Sequence, residues 1–360
     1  MSITNRIQSV DILRGITIVA MILVNTPGTW SNVYPPLLHA EWHGLTPTDL
    51  VFPFFLFIVG CSIAFAYKNR QPDGATYRKI TVRSLKLIGL GLFLGAFTLS
   101  FPFFKEWSQI RFPGVLQRIG VCFFFAAIIA LNTNWKVIMG IIAALLLGYW
   151  VWLGFIPLPD GSAPTYERAP NNWAMYLDKL IFGSHTWQPD YDPEGLPSTL
   201  PSIATTLIGV LVGRLIIFGK QADKLKTMIG AALAMIVVGL LWGQIFPLNK
   251  ALWTSSFVLV TGGLGTGLLA VIYYLTDIRK IQFGTAFKRV GSNALILYFL
   301  SSFISKVFGG LGLHSWLFQN IYVQDFLPPK MSSLFYALSV VAFYVWLGNL
   351  LYKRGIFIKV

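Results

Sequence analysis

Charged side chains are scarce in this sequence. They make up 12% of the 360 residues, whereas 55% are hydrophobic, and the mean hydropathy is +0.65. Soluble domains carry about 25% charged residues. Acidic residues are rarer than basic residues, with 14 Asp and Glu against 28 Lys and Arg. The composition excludes an ordinary soluble domain and indicates a membrane protein.

Cysteine is also rare: the chain has two, and Cys61 and Cys122 both fall within long apolar runs. Cysteines so placed form neither a disulfide framework nor a metal-ligand spacing. An HExxH motif and a Cys-His cluster, the usual marks of a zinc site, are absent as well. We therefore expect no redox centre and no bound metal.

Long apolar runs are what the chain has in abundance. A helix needs about 20 apolar residues to cross a bilayer, and ten runs near that length cover most of the chain. They are 11–26, 49–67, 81–101, 114–131, 135–154, 199–218, 225–245, 252–275, 288–308 and 332–352. The sequence predicts an all-α integral membrane protein of about ten transmembrane helices, with residues 1–360 forming a single domain.

The basic residues are distributed unevenly between the two ends of these spans. With the N-terminus in the cytoplasm, eight of the 28 Lys and Arg residues fall on the external side: Lys105, Arg111, Arg118, Arg168, Lys179, Lys250, Lys306 and Lys330. The remaining 20 (28 − 8) fall on the cytoplasmic side, as the positive-inside rule requires. An even number of spans gives an N-in, C-in topology. The net charge of +14 thus follows mainly from the membrane topology and does not indicate nucleic-acid binding. Some of the cytoplasmic basic residues could also bind a phosphate-bearing cytosolic ligand.

The longest polar segment, about 155–198, is external in this topology. Apolar residues recur at helical spacing within 171–183, which predicts a short amphipathic helix on the membrane face. Residues 191–195, YDPEG, have the proline and glycine of a tight turn. These features favour an ordered cap over the end of the bundle, while a solvated connector is the alternative.

Ionisable and amide side chains within spans are costly and so are candidates for function. Asp11 and Arg14 lie three residues apart on one helical face, either as an ion pair that fixes packing or with Arg14 near a phosphate. The first apolar run contains these two charges and lacks a small-x-small cleavage site. We therefore expect it to be retained rather than removed as a signal peptide. Asn25, at the outer end of the same run, can hold a carbonyl or hydroxyl group or cap the helix.

The segment 37–60 places His39 and His43 in a polar loop just before an apolar run. Thr46-Pro47-Thr48-Asp49 has the form of a capping box, which by itself accounts for Asp49. The carboxylate could also orient an imidazole. A histidine here can act as a base or as a nucleophile in acyl transfer, although a lone histidine before a helix is more often structural.

Two further polar residues lie inside predicted spans. Arg118 follows Pro113 by five residues, which places it roughly 7–8 Å into the membrane from the external side. It is expected either to pair with a carboxylate such as Asp49 or to face a ligand in a wet cavity. Asn293 is the comparable residue in the cytoplasmic half. The glycine-rich 261–267, TGGLGTG, is interpreted as a helix-packing surface and not as a nucleotide loop.

Several motifs together resemble the heparan-α-glucosaminide N-acetyltransferase family. They are SVDILRG at 9–15, VN at 24–25, HAEWHGLTPTDLVFPFFLFIVG at 39–60, PGVLQRIG at 113–120, YDPEG at 191–195, PLNKALWTSSF at 247–257 and GSNALILYF at 291–299. The resemblance covers nearly the whole bundle in the right order. It further implies a bacterial member, in the inner membrane, without the N-terminal lumenal domain of the lysosomal enzyme.

The resemblance implies transfer of acetyl from cytosolic acetyl-CoA to an amino sugar across the membrane. The family's active histidine, asparagine and carboxylate fall on His39, Asn25 and Asp49. His43 stands where the family often has asparagine. The acetyl-CoA nucleotide is expected at the cytoplasmic basic surface, with its pantetheine arm directed toward Asn25, Arg118 and His39. The residues expected to bind it there are Arg78, Arg83, Lys86 and Arg289.

Two other functions remain open at this stage. A sugar or amino-sugar permease would suit the ten spans and the internal polar residues, although the two halves show no clear repeat. An O-acyltransferase of an exported glycan would use the same histidine on a hydroxyl group. The acceptor sugar and the oligomeric state, for which a homodimer is one option, do not follow from the residues.

Overall fold

The computed structural model describes residues 7–220 and 222–358, which fold into a helical bundle. Within those residues, β structure is limited to one antiparallel bridge between Phe97 and Phe104. The helices are α1 (Gln8–Asn25), α2 (Val51–Tyr67), α3 (Gly74–Ala96), α4 (Val115–Asn132), α5 (Trp135–Phe155), α6 (Trp173–Phe182), α7 (Leu196–Phe218), α8 (Lys224–Trp242), α9 (Ser255–Tyr273), α10 (Thr285–Gly291), α11 (Ala294–Gly310), α12 (Leu313–Leu317) and α13 (Pro329–Lys353). Short 3₁₀ turns lie at Pro35–Leu37, Pro47–Leu50 and Trp107–Gln109, and π turns at Tyr274–Ile278 and Phe318–Tyr322.

Eight helices of the described chain are long and apolar enough to cross a membrane. They are α1, α2 with its preceding turn, α4, α5, α7, α8, α9 with its following turn, and α13. Helices α10 and α11 together make a ninth candidate, bent by 79° at their junction. The predicted all-helical architecture is confirmed in this form, while the count of ten stays a prediction.

The difference in number comes from α3, which corresponds to the predicted third span. Its 23 residues would extend about 34 Å, so length is not the obstacle. It carries Arg78, Lys79, Arg83 and Lys86, and these charges exclude it from the helices that are apolar enough to cross a membrane.

Glycines bring the central helices α2 and α7 into contact. Gly60 faces the backbone of Thr206, and Gly209 faces the backbone of Phe57, so a Cβ at either glycine would overlap main-chain atoms. Small residues at a helix crossing allow this approach inside a membrane. Neighbouring residues of both helices, such as Phe57 and Ile208, belong to the largest buried apolar cluster.

The glycine-rich segment 261–267 lies within α9 and packs against neighbouring helices. Gly263 contacts Ala232 of α8, and Gly262 contacts Ile208 of α7. The predicted packing role is confirmed.

One end of the bundle, which we call the His39 end, is covered by the polar connections. These are 26–50 between α1 and α2, 97–114 between α3 and α4, 156–195 between α5 and α7, and 243–254 between α8 and α9. The predicted helix within 171–183 is present as α6. Its buried side chains are Ala174, Met175 and Asp178, while Leu180 and Ile181 are exposed. The connection is therefore an ordered cap.

Candidate functional site

Asp49 is positioned by the turn that starts α2. Its Oδ2 accepts hydrogen bonds from the Thr46 amide and hydroxyl, both at 2.9 Å, and Thr46 and Asp49 form a reciprocal capping box with Pro47 at the first position. Backbone N–H groups at the start of a helix have no acceptor within the helix. The Asp49 carboxylate supplies an acceptor at this turn. The predicted cap is confirmed.

The same carboxylate holds His39. Asp49 Oδ1 lies 2.7 Å from His39 Nδ1, and Oδ2 also accepts the Ala40 amide at 3.1 Å. An ionised carboxylate can only accept, so Nδ1 carries the hydrogen and the lone pair of the neutral ring lies on Nε2. The Asp49 side chain is 1% exposed and that of His39 is 48% exposed. A buried carboxylate thus orients an accessible imidazole, and both roles proposed for Asp49 occur together.

Lys250 completes this group of residues. Its Nζ lies 3.2 Å from Nε2 and 3.4 Å from Nδ1 of His39, so the ammonium faces the ring. Burial lowers the pKa of Lys250, and the charges of Glu194 and Asp49 oppose that change. Sequence reasoning counted Lys250 only as an external charge, although it lies in PLNKALWTSSF, one of the resemblance motifs.

A second carboxylate, Glu194, lies on the other wall of the site. The turn Asp192–Gly195 is closed by the Gly195 amide on Asp192 O at 3.0 Å, which confirms the predicted tight turn. Arg111 bridges Asp192 and Glu194 and lies over the Trp187 ring. Burial by itself would raise the pKa of Glu194, but Arg111 and Lys250 outweigh burial and lower it. Glu194 is therefore a buried anion.

These groups line one cavity of about 600 Å³ at the His39 end. Asn25, at the last turn of α1, is exposed within it. The predicted trio of His39, Asn25 and Asp49 is thus brought together. The cavity is also lined by six aromatic side chains that sequence reasoning did not single out: Trp30, Trp42, Phe52, Trp187, Tyr191 and Tyr298.

His43 lies in the same loop as His39 but makes different contacts. Its Nε2 lies 3.2 Å from Glu167 Oε1, and its Nδ1 lies 3.3 Å from the Asn249 amide. Asn249 in turn accepts the Leu252 amide within the 243–254 connection. His43 therefore joins two loops of the cap.

Arg118 does not pair with Asp49, which corrects one of the two predictions made for it. Its Nη2 donates to Gly195 O and to the Ser198 hydroxyl at the start of α7, and its guanidinium lies over Trp253. Sequence position does not determine the direction in which α4 turns the Arg118 side chain. Nε and Nη1 are buried without a partner in the described chain.

The opposite end of α1 carries the predicted ion pair. Arg14 Nη1 lies 2.8 Å from Asp11 Oδ1, and Arg14 Nη2 donates to Ser62 of α2 at 2.7 Å. Arg83 of α3 is close enough to interact electrostatically with Arg14. Its guanidinium lies over Phe123, and its Nε is buried without a partner in the described chain. Two guanidiniums therefore lie near each other at this end.

The remaining predicted ligand residues lie elsewhere. The Asn293 amide bonds the backbone of Ile356 and Ile358, and Arg289 donates to Asn349 of α13. These contacts tie the end of the chain to the bend between α10 and α11. Arg78 and Lys86 are exposed on α3, whereas Arg83 is partly buried. Their predicted role in binding a nucleotide stays a prediction.

A family profile described as "Heparan-alpha-glucosaminide N-acetyltransferase, catalytic" matches residues 6–245, which is more than half of the chain. The chain belongs to this family. Within the matched region lie His39, Asn25, Asp49 and Glu194. Lys250 lies five residues beyond its end.

Two curated members of the heparan-α-glucosaminide N-acetyltransferase family are similar over most of the chain. The human protein of that name is 28% identical over 360 residues, covering 81% of this chain and 52% of its own length. The mouse protein is 27% identical over 362 residues, covering 82% and 53%. The chain therefore spans about half the length of these relatives.

Proposed function

We propose that this protein is a membrane acetyltransferase that moves acetyl from cytosolic acetyl-CoA to the amino group of a glucosamine-type sugar on the other side. The observation that carries the proposal is the His39–Asp49 pair in an aromatic cavity at one end of a bundle of this family. An accessible imidazole oriented by a buried carboxylate supplies the base that acyl transfer requires, whereas a structural span needs none.

The donor would enter at the end of α1 that carries Arg14. A buried guanidinium without a full set of acceptors favours an anionic ligand, and Arg83 Nε fits that description beside Arg14. These two residues suit a phosphate of the CoA nucleotide. From Arg14 to Asn25 along α1 is about 17 Å at 1.5 Å per residue, which is the distance the pantetheine arm would cover.

At the His39 end the acceptor amine would attack the thioester carbonyl. The new C–N bond forms as the C–S bond breaks, His39 Nε2 takes the amine proton, and the CoA thiolate is then protonated from the ring. Asp49 on Nδ1 keeps Nε2 as the base and stabilises the cationic ring. In the alternative route Nε2 attacks first and an acetyl-His39 intermediate passes the acetyl to the amine.

The negative charge that develops on the carbonyl oxygen needs donors. The Lys250 ammonium beside His39 and the Asn25 amide on the same cavity supply them. Because Lys250 now faces the Nε2 lone pair, entry of the thioester would move it onto the carbonyl oxygen and free Nε2.

The opposite wall suits an amino sugar. Glu194 is a buried carboxylate whose Oε2 is held by Arg111, which leaves Oε1 to accept from a sugar amine or hydroxyl. Aromatic rings such as Trp187 and Tyr191 provide flat faces against which the apolar face of a pyranose packs.

The test is acetyl transfer by the purified protein in proteoliposomes, with labelled acetyl-CoA and methyl β-glucosaminide on opposite sides. His39→Ala should abolish transfer, while His43→Asn, in the same loop, should retain it. Mass spectrometry of the product separates N-acetyl from O-acetyl. Sugar uptake without acetyl-CoA would instead support a permease, and full activity of His39→Ala would contradict the mechanism.

A further inference from the structure

A second cavity, of about 620 Å³, lies beside the His39 cavity. It is bounded by the outer halves of α3 and α4, the 97–114 connection and the start of α7. Its walls are formed almost entirely by apolar side chains: Ile88, Leu92, Phe93, Ala96, Val121 and Phe182. We call it the side groove.

The side groove adjoins the candidate site at Glu194. This residue lines both cavities, and Leu196 and Thr199, which follow it, also line the groove. The Asp192–Gly195 turn is thus the wall between the two spaces. A molecule in the groove therefore lies next to Glu194, at the boundary with the His39 cavity.

The groove also has four polar lining residues, Gln117, Arg118, Glu194 and Thr199. Arg118 lines it and is 2% exposed, and its Nε and Nη1 have no partner among the described residues. Buried donors of this kind are normally satisfied by protein, water or ligand. The groove therefore combines apolar walls with unsatisfied donors next to the site, an arrangement that fits an amphiphile better than a hydrocarbon.

The open side of the groove carries exposed aromatic residues. Trp107 is 70% exposed and Phe104 is 53% exposed, and both line the groove at the end of the bundle where the polar connections begin. Aromatic side chains concentrate at the boundary between lipid and water. The groove thus opens at the level of the outer headgroups.

We propose that the side groove holds the hydrocarbon chain of a membrane-anchored amino sugar, whose sugar head reaches the His39 cavity past Glu194. This proposal rests on the proposed acetyl transfer and names the class of its acceptor as a glycolipid with a free amine. Such an acceptor diffuses in the outer leaflet and enters from the side. Ordinary membrane lipid filling the groove is the competing outcome, and the test separates the two.

The first experiment compares methyl and dodecyl β-glucosaminide as acceptors in proteoliposomes. Val121→Trp and Ala96→Trp narrow the groove, and Leu147→Trp, on the exposed face of α5, is the matched control. The two groove variants should raise KM for the dodecyl acceptor about tenfold and leave the methyl acceptor within about twofold. The control should change neither. Equal effects on both acceptors, or none on either, would overturn the proposal.

A binding experiment keeps the proposal independent of turnover. A β-glucosaminide with a diazirine in its alkyl chain should label peptides within 88–121 of the wild-type protein. Dodecyl β-glucosaminide should compete, and dodecyl β-glucoside, which lacks the amine, should not. Labelling that neither compound displaces overturns the groove assignment. If competed labelling occurs but no acetyl is transferred to either acceptor, the proposed function fails while the groove assignment stands.

Discussion

Lys250 Nζ lies 3.2 Å from Nε2 of His39, while Asp49 holds Nδ1 of the same ring at 2.7 Å. The imidazole is therefore contacted by a cation and an anion at once. This arrangement gives each of the three residues a separable role in acetyl transfer.

Lys250→Met should lower kcat by about 10²–10³-fold, because it removes a donor for the developing oxyanion. Steady-state transfer assays at saturating acetyl-CoA measure this. Lys179→Met, on α6, is the control for a lost external charge and should have little effect. A change of less than about twofold in Lys250→Met would show that the ammonium does not act on the reacting atoms.

Lys250 should also set the alkaline limit of activity. Burial lowers the pKa of its ammonium, so the charge is lost at a lower pH than for an ordinary lysine. The rate should fall as pH rises through this lowered pKa. Lys250→Arg, less active at neutral pH, should show no such fall because guanidinium stays protonated. Identical alkaline limbs in both proteins would refute this assignment.

Asp49→Asn should separate the two roles of the carboxylate. The amide oxygen can still accept from Thr46 and cap the helix, but it no longer stabilises a cationic His39, so kcat should fall about 10²–10⁴-fold. Thr46→Val should instead cost about 1 kcal/mol of stability through the cap and retain most activity. Thermal unfolding in detergent and kcat should be measured for both variants. Asp49→Asn should lose activity but little stability, and Thr46→Val should lose stability but little activity. Parallel losses of both quantities in both variants would argue against this separation.

Glu194→Gln should weaken recognition of the amino sugar. We expect kcat/KM for methyl β-glucosaminide to drop about 10–100-fold, mostly through KM, because the buried carboxylate loses its charge. Glu167→Gln provides a matched control, since that side chain is 69% exposed. Unchanged KM in Glu194→Gln would remove the carboxylate from acceptor binding.

Asp178 should make the stability of the cap depend on pH. Burial raises its pKa to about 7, although the Leu196 amide that it accepts opposes this. The folded state then holds a proton that the unfolded state has released, so stability falls as pH rises from about 4 to about 7. Asp178→Asn should flatten this dependence and melt higher than the wild type above pH 7. A wild-type melting temperature that stays constant across this range would contradict the expectation.

The sequence predicted the part of the site that depends on local order. Asp49 lies three residues after Thr46 and ten after His39, so a capping pattern and a nearby loop were enough to propose both of its contacts. Lys250 contacts His39 across 211 positions, and only the packing of the 243–254 connection brings them together. No spacing rule reaches that far.

Within the helices, too, the sequence pattern does not predict which side chains a residue contacts. The pattern at 171–183 predicted α6, but Asp178 is buried there because the start of α7 uses its carboxylate. Arg118 was predicted to pair with Asp49 or face a ligand, yet its partners are Gly195 and Ser198 because the rotation of α4 depends on its neighbours. Periodicity predicts an element and not the side it turns to the bundle.

The Asp49 carboxylate closes the capping box and also holds His39, so the site forms when this part of the chain folds. Folding the 3₁₀ turn Pro47–Leu50, which leads into α2, places Asp49, and with it the imidazole, before any substrate arrives. Binding energy from donor and acceptor is then not spent on orienting the ring. The reactive group is preorganised by the start of a helix, so its geometry should be the same in the free protein as in the working complex.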